Sequence, residues 1–229
     1  MSKGIASKKS STYRQTIIKA VGRDAGHPIN QGIHMEAHHL VSSESVKLSK
    51  MSSILEHGGY DINLLNNLVL LPATLPGACH LEVQLHRGNH YGYANEQDND
   101  SDDAHPINYH LEVAARLQLV EREIDDCNND CKKSGIKVQD IVDEVSEDIL
   151  DLISDFEIPL TPVHGAFRKG EKTGCGNCID VNEHQEESAE CASMRGHEGE
   201  EHPKFRNGQF PKTITRRNSE KRYRLRVGR

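Results

Sequence analysis

Two pairs of histidines in the sequence have the spacing that metal-assisted hydrolysis requires. His38 and His39 are adjacent, and His86 and His90 are four residues apart. A neutral imidazole, with an ordinary pKa of about 6.5, can take up a proton near neutral pH or bind a divalent metal ion. Adjacent side chains on a strand face opposite ways, whereas side chains four apart share one face of a helix. The first pair can therefore divide base and metal binding, and the second can bind one ion together.

Each pair also has a simpler interpretation. An adjacent histidine pair is more often surface polarity than catalysis, and an H-x-x-x-H pair is often two solvated helix residues. Asn67 by itself is typical of a turn. His105 and His110 form a competing pair, but they are five residues apart and less able to share a face. The order and spacing of the motifs favour His86 and His90.

Taken in order, four motifs of this sequence resemble the AHH nucleases of the HNH/endonuclease VII superfamily. The resemblance covers residues 32–93 and departs from the family pattern at Leu68, where glycine is frequent, and in the acidic insert after Tyr93. The motifs are Ala37-His38-His39, Gly59-Tyr60-Asp61-Ile62-Asn63, Asn67-Leu68-Val69-Leu70-Leu71-Pro72 and His86-Arg87-Gly88-Asn89-His90-Tyr91-Gly92-Tyr93.

The resemblance implies a metal-dependent endonuclease with one divalent ion, for which Mg, Mn, Ni and Zn are all candidates. It makes His39 the general base and assigns the ion to His38, His86 and His90. It makes Asn67 the asparagine that orients the base or supports the loop between the strands. The implied hydrolysis leaves a 5′-phosphate and a 3′-hydroxyl.

The substrate implied by the resemblance is nucleic acid, with DNA favoured over RNA. Asp61 and Asn63 also match the family pattern, and we interpret both as turn-forming residues. Many family members are bacterial toxins, so a toxin or defence role is expected, with an immunity protein as a partner of a toxin. The alternatives are a non-catalytic, zinc-stabilised nucleic-acid-binding protein and an RNA-cleaving toxin.

The elements that must position these residues indicate an α+β fold with a mostly helical domain. The resemblance implies that a small ββα-metal nuclease finger is embedded in this domain. Alternation of side-chain types predicts a strand over residues 33–42, and an apolar run ended by proline predicts a buried strand over 68–72. Residues 60–67 have the composition of a turn. Helices are predicted over residues 43–57, 79–91, 107–132 and 138–156.

The net charge of −7 hides two basic ends around an acidic body. Residues 1–23 carry six basic side chains and no acidic one, and residues 203–229 carry ten basic and one acidic. Basic segments suit contacts with phosphates, although solubilising tails are the alternative interpretation. The predicted nucleic-acid contacts are Arg216, Arg217, Lys221, Arg222, Arg224 and Arg226.

Three segments follow from this organisation: a basic N-terminal arm over residues 1–23, the nuclease domain over 24–157, and a Cys/His-containing, basic extension over 158–229. We expect the last segment to be of low order or stapled by a second, structural zinc ion. The candidate zinc ligands, with free thiols as the alternative, are Cys175, Cys178, Cys191 and His184, with His197 or His202 in place of His184.

The remaining predictions concern location. Six cysteines in a chain of 229 residues do not suggest a secreted disulfide framework. The sequence has neither a run of about 18 apolar residues nor the apolar stretch of a secretory signal. We therefore expect a cytoplasmic protein without membrane contact, which a secretion system encoded elsewhere could deliver to other cells. The sequence leaves the oligomeric state open.

Overall fold

A computed structural model describes most of the chain up to residue 160, together with the last seven residues. The side chains of residues 106–108 and 129–134 are outside this description. The described residues are 3–31, 33–73, 78, 81, 83–86, 106–134, 137–158, 160 and 223–229.

An antiparallel hairpin lies at the centre of the described fold. Strand β1 (Met35–His39) pairs with strand β2 (Leu68–Pro72), with Met35 opposite Pro72 and His39 opposite Leu68. Both strands were predicted, although β1 is shorter than expected. Every residue of β2 is buried, as its unbroken apolar sequence predicts. The alternation along β1 places Glu36 and His38 on the face opposite to His39.

Two short helices connect the strands, where one helix over residues 43–57 was predicted. Helix α2 (Ser43–Leu48) ends near Lys50, whose φ of 63° is incompatible with a continuing right-handed helix. The Ser49 hydroxyl donates to Val46 O and accepts from Met51 N, which caps the break. Helix α3 (Ser52–His57) then ends at the Gly58-Gly59 pair. The single-helix prediction was therefore wrong.

Three longer helices pack around the hairpin and its connection. They are α4 (Pro106–Leu119), α5 (Glu121–Ser134) and α6 (Val138–Ser154). The predicted helix over 107–132 is divided at Val120, so that α4 packs on α2 while α5 packs on α3. The apolar stripe of α6 is buried, as its spacing predicts. The described residues thus form an α+β fold that is mostly helical.

The segment predicted as a basic arm contributes to the same core. Helix α1 (Tyr13–Val21) packs against β1, and Ala6, Ile17 and Val21 are buried. The core position of Ile17 and Val21 reflects the apolar face of α1, which its basic residues do not interrupt. The boundaries of the three predicted segments stay predictions.

The segment 223–229 lies along the outer side of β2. Gly228 N donates to Leu68 O at 2.6 Å, and Leu70 N donates to Arg229 O at 2.8 Å. Leu225 is buried, whereas Arg224 and Arg226 are exposed. The alternation of basic and apolar residues in this segment therefore has a structural basis.

Candidate active site

The imidazole rings of His38, on β1, and His86, in a non-helical segment, lie side by side. Their ring centroids are 4.6 Å apart, and Glu36 Oε2 lies 3.5 Å from His86 Nδ1. The prediction of a helix at His86 was wrong, because residues 84–86 are not helical. The backbone N–H of His86 instead donates to Pro72 O at 2.9 Å, which fixes His86 beside the end of β2.

Tyr109 of α4 contacts the imidazole of His38. Its hydroxyl oxygen lies 2.8 Å from His38 Nε2 and 2.5 Å from Leu40 O. Both side chains are buried. Burial raises the pKa of Tyr109 well above its ordinary value, so its hydroxyl is protonated at neutral pH. This protonated hydroxyl joins α4 to the strand that carries the histidines.

His39 lies in a different environment from its neighbour. Its Nε2 is 3.4 Å from Asn63 Oδ1, and its ring centroid is 4.3 Å from that of Tyr13. Burial lowers the pKa of His39 to about 4, and Lys9 adds to the shift, while the Asn63 hydrogen bond and Asp61 oppose it. His39 is therefore a neutral imidazole at physiological pH.

Asn63 also ties the N-terminal segment to His39. Its Oδ1 accepts from Ser10 N at 2.7 Å, and its Nδ2 donates to Lys8 O and to Asp61 Oδ1. The interpretation of Asn63 as a turn-forming residue alone was thus incomplete. Its match to the family pattern was a usable signal, but the contact with His39 spans 24 residues and is invisible to local spacing.

Asn67 is completely buried and bonds to the chain on both sides of the hairpin connection. Its Oδ1 accepts from Val41 N at 2.6 Å and from the Ser146 hydroxyl at 3.1 Å. Its Nδ2 donates to Val41 O and Ile62 O. Of the two roles that the resemblance implied, these contacts are those of a residue that supports the loop between the strands.

His110, from the competing histidine pair, contacts the start of α2. Its Nδ1 is 2.9 Å from the Ser42 hydroxyl, and that oxygen also accepts from Ser45 N as the cap of α2. Burial lowers the pKa of His110, with Glu44 opposing and Lys9 adding to the shift. His105 lies outside the described residues.

The donor set in the described residues fits part of a divalent-metal site. His38 and His86 are two imidazole donors close enough to approach one ion, and imidazoles suit Zn, Ni and Mn. Within the described ranges, no group of three His, Cys, Asp or Glu side chains is arranged to hold a metal. The third expected ligand, His90, lies outside the described residues.

Several other predicted residues also lie outside the described residues. The structure therefore describes neither the candidate zinc site nor most of the basic stretch. These residues are Cys175, Cys178, His184, Cys191, His197, His202, Arg216, Arg217, Lys221 and Arg222. Cys127, whose side chain is described, is buried and disulfide-bonded.

Sequence reasoning missed two residues of this site. Glu36 lies two residues before His38, so the period of a strand was a signal that could have identified it. Tyr109 approaches His38 across 71 residues of sequence, and no local pattern predicts that contact.

Comparison with protein families supports the class of protein that this hairpin suggests. The model of a nuclease family of the HNH/ENDO VII superfamily matches the chain, and the match extends over residues 21–145, more than half of its length. The protein is a nuclease of that superfamily. Within it, the chain belongs to the AHH family, which is defined by a conserved Ala-His-His motif.

Neither the curated proteins nor the solved structures yielded a significant match. Among the described residues, none of the helices has the length and apolar character needed to span a bilayer.

Proposed function

We propose that this AHH nuclease is a metal-dependent endonuclease that hydrolyses phosphodiester bonds in DNA. The observation that carries the proposal is the separation of two adjacent histidines. His38 adjoins a second imidazole, whereas burial keeps His39 a neutral imidazole that faces the side-chain oxygen of Asn63. Hydrolysis needs a proton acceptor distinct from the metal ligands, and these two environments supply both.

The contact with Asn63 favours one tautomer of His39. Asn63 Nδ2 donates to Lys8 O and Asp61 Oδ1, so the oxygen of this amide is the atom that faces His39. An oxygen acceptor requires the imidazole proton to be on Nε2, which leaves the lone pair on Nδ1. In the proposed reaction, Nδ1 of His39 takes the proton of the attacking water.

His38 and His86, together with His90, would hold the metal ion. The ion would supply charge stabilisation on the phosphate and on the departing 3′-oxygen. Glu36, at 3.5 Å from Nδ1 of His86, would orient that ring through its carboxylate. The chain would thereby produce a 5′-phosphate and a 3′-hydroxyl.

Binding of the DNA backbone would use the basic C-terminal stretch. Arg224 and Arg226 are exposed on the same segment that pairs with β2. Each Lys or Arg that contacts a phosphate makes binding more sensitive to salt. The proposed role is that of a toxin or a defence nuclease, and a toxin would require an immunity protein in the producing cell.

The test is a cleavage assay on metal-stripped protein. Supercoiled plasmid, linear DNA and RNA are incubated with Mg, Mn, Ni or Zn in turn, using the unmodified chain and His39→Asn. We expect metal-dependent cutting of DNA, and a reduction of about 100-fold or more in His39→Asn, because general-base catalysis contributes about that much. His57→Asn, on an exposed histidine at the end of α3, is the matched control and should cut normally.

Three results would contradict the proposal. Cutting by His39→Asn at the rate of the unmodified chain would exclude His39 as the base. Preference for RNA over both DNA substrates would contradict DNA as the substrate and favour the RNA-cleaving alternative. No cutting with any ion, combined with loss of bound metal in His39→Asn, would favour the non-catalytic, zinc-stabilised alternative.

A further inference from the structure

Tyr109 lies at the junction between α4 and the histidine-bearing strand. Its side chain is completely excluded from solvent, and His38 beside it is only 3% exposed. The Tyr109 hydroxyl contacts three atoms of β1 and of Leu40, the residue that follows this strand. They are His38 Nε2 at 2.8 Å, Leu40 O at 2.5 Å and His39 O at 3.4 Å.

The hydroxyl of Tyr109 has a single proton to donate. A carbonyl oxygen is only an acceptor, so the 2.5 Å contact with Leu40 O requires that this proton point at Leu40. The hydroxyl oxygen then offers only lone pairs to His38. A stable contact at 2.8 Å therefore requires that His38 Nε2 donate to Tyr109.

We propose that Tyr109 is a positioning residue that holds His38 in the tautomer with its proton on Nε2 and its lone pair on Nδ1. A metal ion bound by His38 would consequently bind through Nδ1. This last consequence depends on the proposed function, whereas the tautomer itself does not. Tyr109 would act on metal affinity through His38 without contacting the ion.

Fixing the imidazole ring of His38 matters because a histidine can bind a metal ion through either of its two ring nitrogens. An imidazole that exchanges between tautomers and ring orientations must be ordered when it binds an ion, and that ordering weakens binding. Groups that hydrogen-bond to the second nitrogen of a metal-binding histidine commonly improve affinity by about 10- to 100-fold. The fixed main-chain acceptor Leu40 O makes Tyr109 suitable for this task, since it commits the proton of the hydroxyl.

The competing interpretation is that Tyr109 only stabilises the packing of α4 on β1. Both interpretations predict that Tyr109→Phe lowers stability, because the variant leaves Leu40 O and His38 without the hydroxyl. Only the positioning role predicts a change in the protonated nitrogen of His38. The decisive measurement is therefore spectroscopic.

The first experiment records ¹⁵N spectra of the imidazole nitrogens in the metal-free protein at neutral pH. The signals of His38 are assigned by their loss in His38→Gln, which is necessary because the chain has 14 histidines. We expect His38 in the unmodified chain to have a protonated Nε2 and an unprotonated Nδ1. In Tyr109→Phe we expect a mixture of the two tautomers.

Tyr60→Phe is the matched control. Tyr60 is as fully buried as Tyr109, but its hydroxyl has no hydrogen-bond partner among the described residues. Its replacement should leave the His38 signals unchanged and should not lower stability. Thermal unfolding of each variant shows whether the spectra are those of folded protein.

The second experiment measures the affinity for Mn²⁺ and Zn²⁺ by titration calorimetry, with His38→Gln as the baseline for binding elsewhere on the chain. Tyr109→Phe should bind about 10- to 100-fold more weakly than the unmodified chain, and Tyr60→Phe should bind equally well. Equal affinity in Tyr109→Phe would overturn the link between Tyr109 and the metal.

The outcomes separate this inference from the proposed function. A proton on Nδ1 of His38 in the unmodified chain would overturn the positioning role, and that spectrum needs no variant that could fail to fold. An unchanged tautomer in folded Tyr109→Phe would also overturn it. The expected tautomer shift without DNA cleavage by the unmodified chain would support the positioning role and overturn the proposed nuclease activity.

Discussion

At the scale of single residues, the two asparagines near the hairpin use their amides differently. Asn67 is enclosed, and both its polar atoms bond to groups within the fold. Asn63 is half-exposed and uses its oxygen to face His39. The amide of Asn67 therefore stabilises the fold, whereas the amide of Asn63 contacts His39, the proposed base.

Replacing Asn67 with alanine should destabilise the chain strongly. The change leaves Val41 N, Val41 O and Ile62 O buried without the amide, and buried unsatisfied groups cost about 1–3 kcal/mol each. We expect a loss of about 3 kcal/mol or more in the free energy of unfolding, measured by urea denaturation.

The neighbouring Asn66 provides the control for this prediction. Its side chain is exposed and donates to Asp143 at the surface. Asn66→Ala should change stability by no more than about 0.5 kcal/mol. Equal stability of the two variants would contradict the structural role of Asn67.

Among the secondary-structure elements, the short segment 83–86 is hydrogen-bonded both to β2 and to α6. His86 N bonds to the end of β2, while the Gln84 side chain bonds to the end of α6. Gln84 Nε2 donates to Ile153 O and Ile158 O, and its Oε1 accepts from Leu160 N. This buried amide thus links the histidine segment to the last helix of the core.

Gln84→Ala should therefore lower stability by about 2 kcal/mol, because Ile158 O and Leu160 N lose their bonds to this buried amide, while Ile153 O retains its bond from Phe156 N. The measurement is the urea midpoint, with the slope of the transition as a check on two-state behaviour. Gln15→Ala, at an exposed position of α1, should be nearly neutral. A midpoint for Gln84→Ala equal to that of Gln15→Ala would show that the linkage contributes nothing.

At the scale of the whole molecule, the segment 223–229 joins the loop that follows α1. The Tyr223 hydroxyl is 3.2 Å from His27 Nε2, and Arg229 Nη1 is 3.4 Å from Asp24 Oδ2. His27 Nδ1 accepts from Ile29 N, so its other nitrogen carries the proton. Burial lowers the pKa of His27, with Asp24 opposing and Arg229 adding to the shift.

Stability should consequently fall as the pH drops below about 6.5, the ordinary pKa of histidine. The folded chain keeps His27 neutral while the unfolded chain binds a proton there, so the protonated unfolded state is favoured at lower pH. Burial lowers the pKa values of His39 and His110 as well, and these act in the same direction. Urea unfolding at pH 7, 6 and 5 measures the effect.

His27→Gln should reduce the slope of stability against pH by up to about 1.4 kcal/mol per pH unit, the value for one proton. Tyr223→Phe is the control, since it removes the hydroxyl but keeps the histidine that titrates. An unchanged slope in His27→Gln would mean that this histidine is not protonated differently in the two states.

The local features of this protein were predictable from its sequence. The predicted strand at β1 was enough to place His38 and His39 on opposite faces, since strand geometry repeats every two residues. An unbroken apolar run ended by proline was enough to predict the buried strand β2. The ordered histidine and asparagine motifs were enough to indicate the AHH family, which the family comparison confirmed.

The partner of each of those residues, in contrast, depends on how distant parts of the chain pack together. Asn63 rather than Asn67 faces His39, Tyr109 holds His38 from a distant helix, and His86 leaves the predicted helix for the end of β2. These contacts join residues far apart in sequence, and their energies depend on burial that a local pattern does not encode. Composition and spacing therefore predicted the kind of site, whereas packing decided how its imidazoles are held.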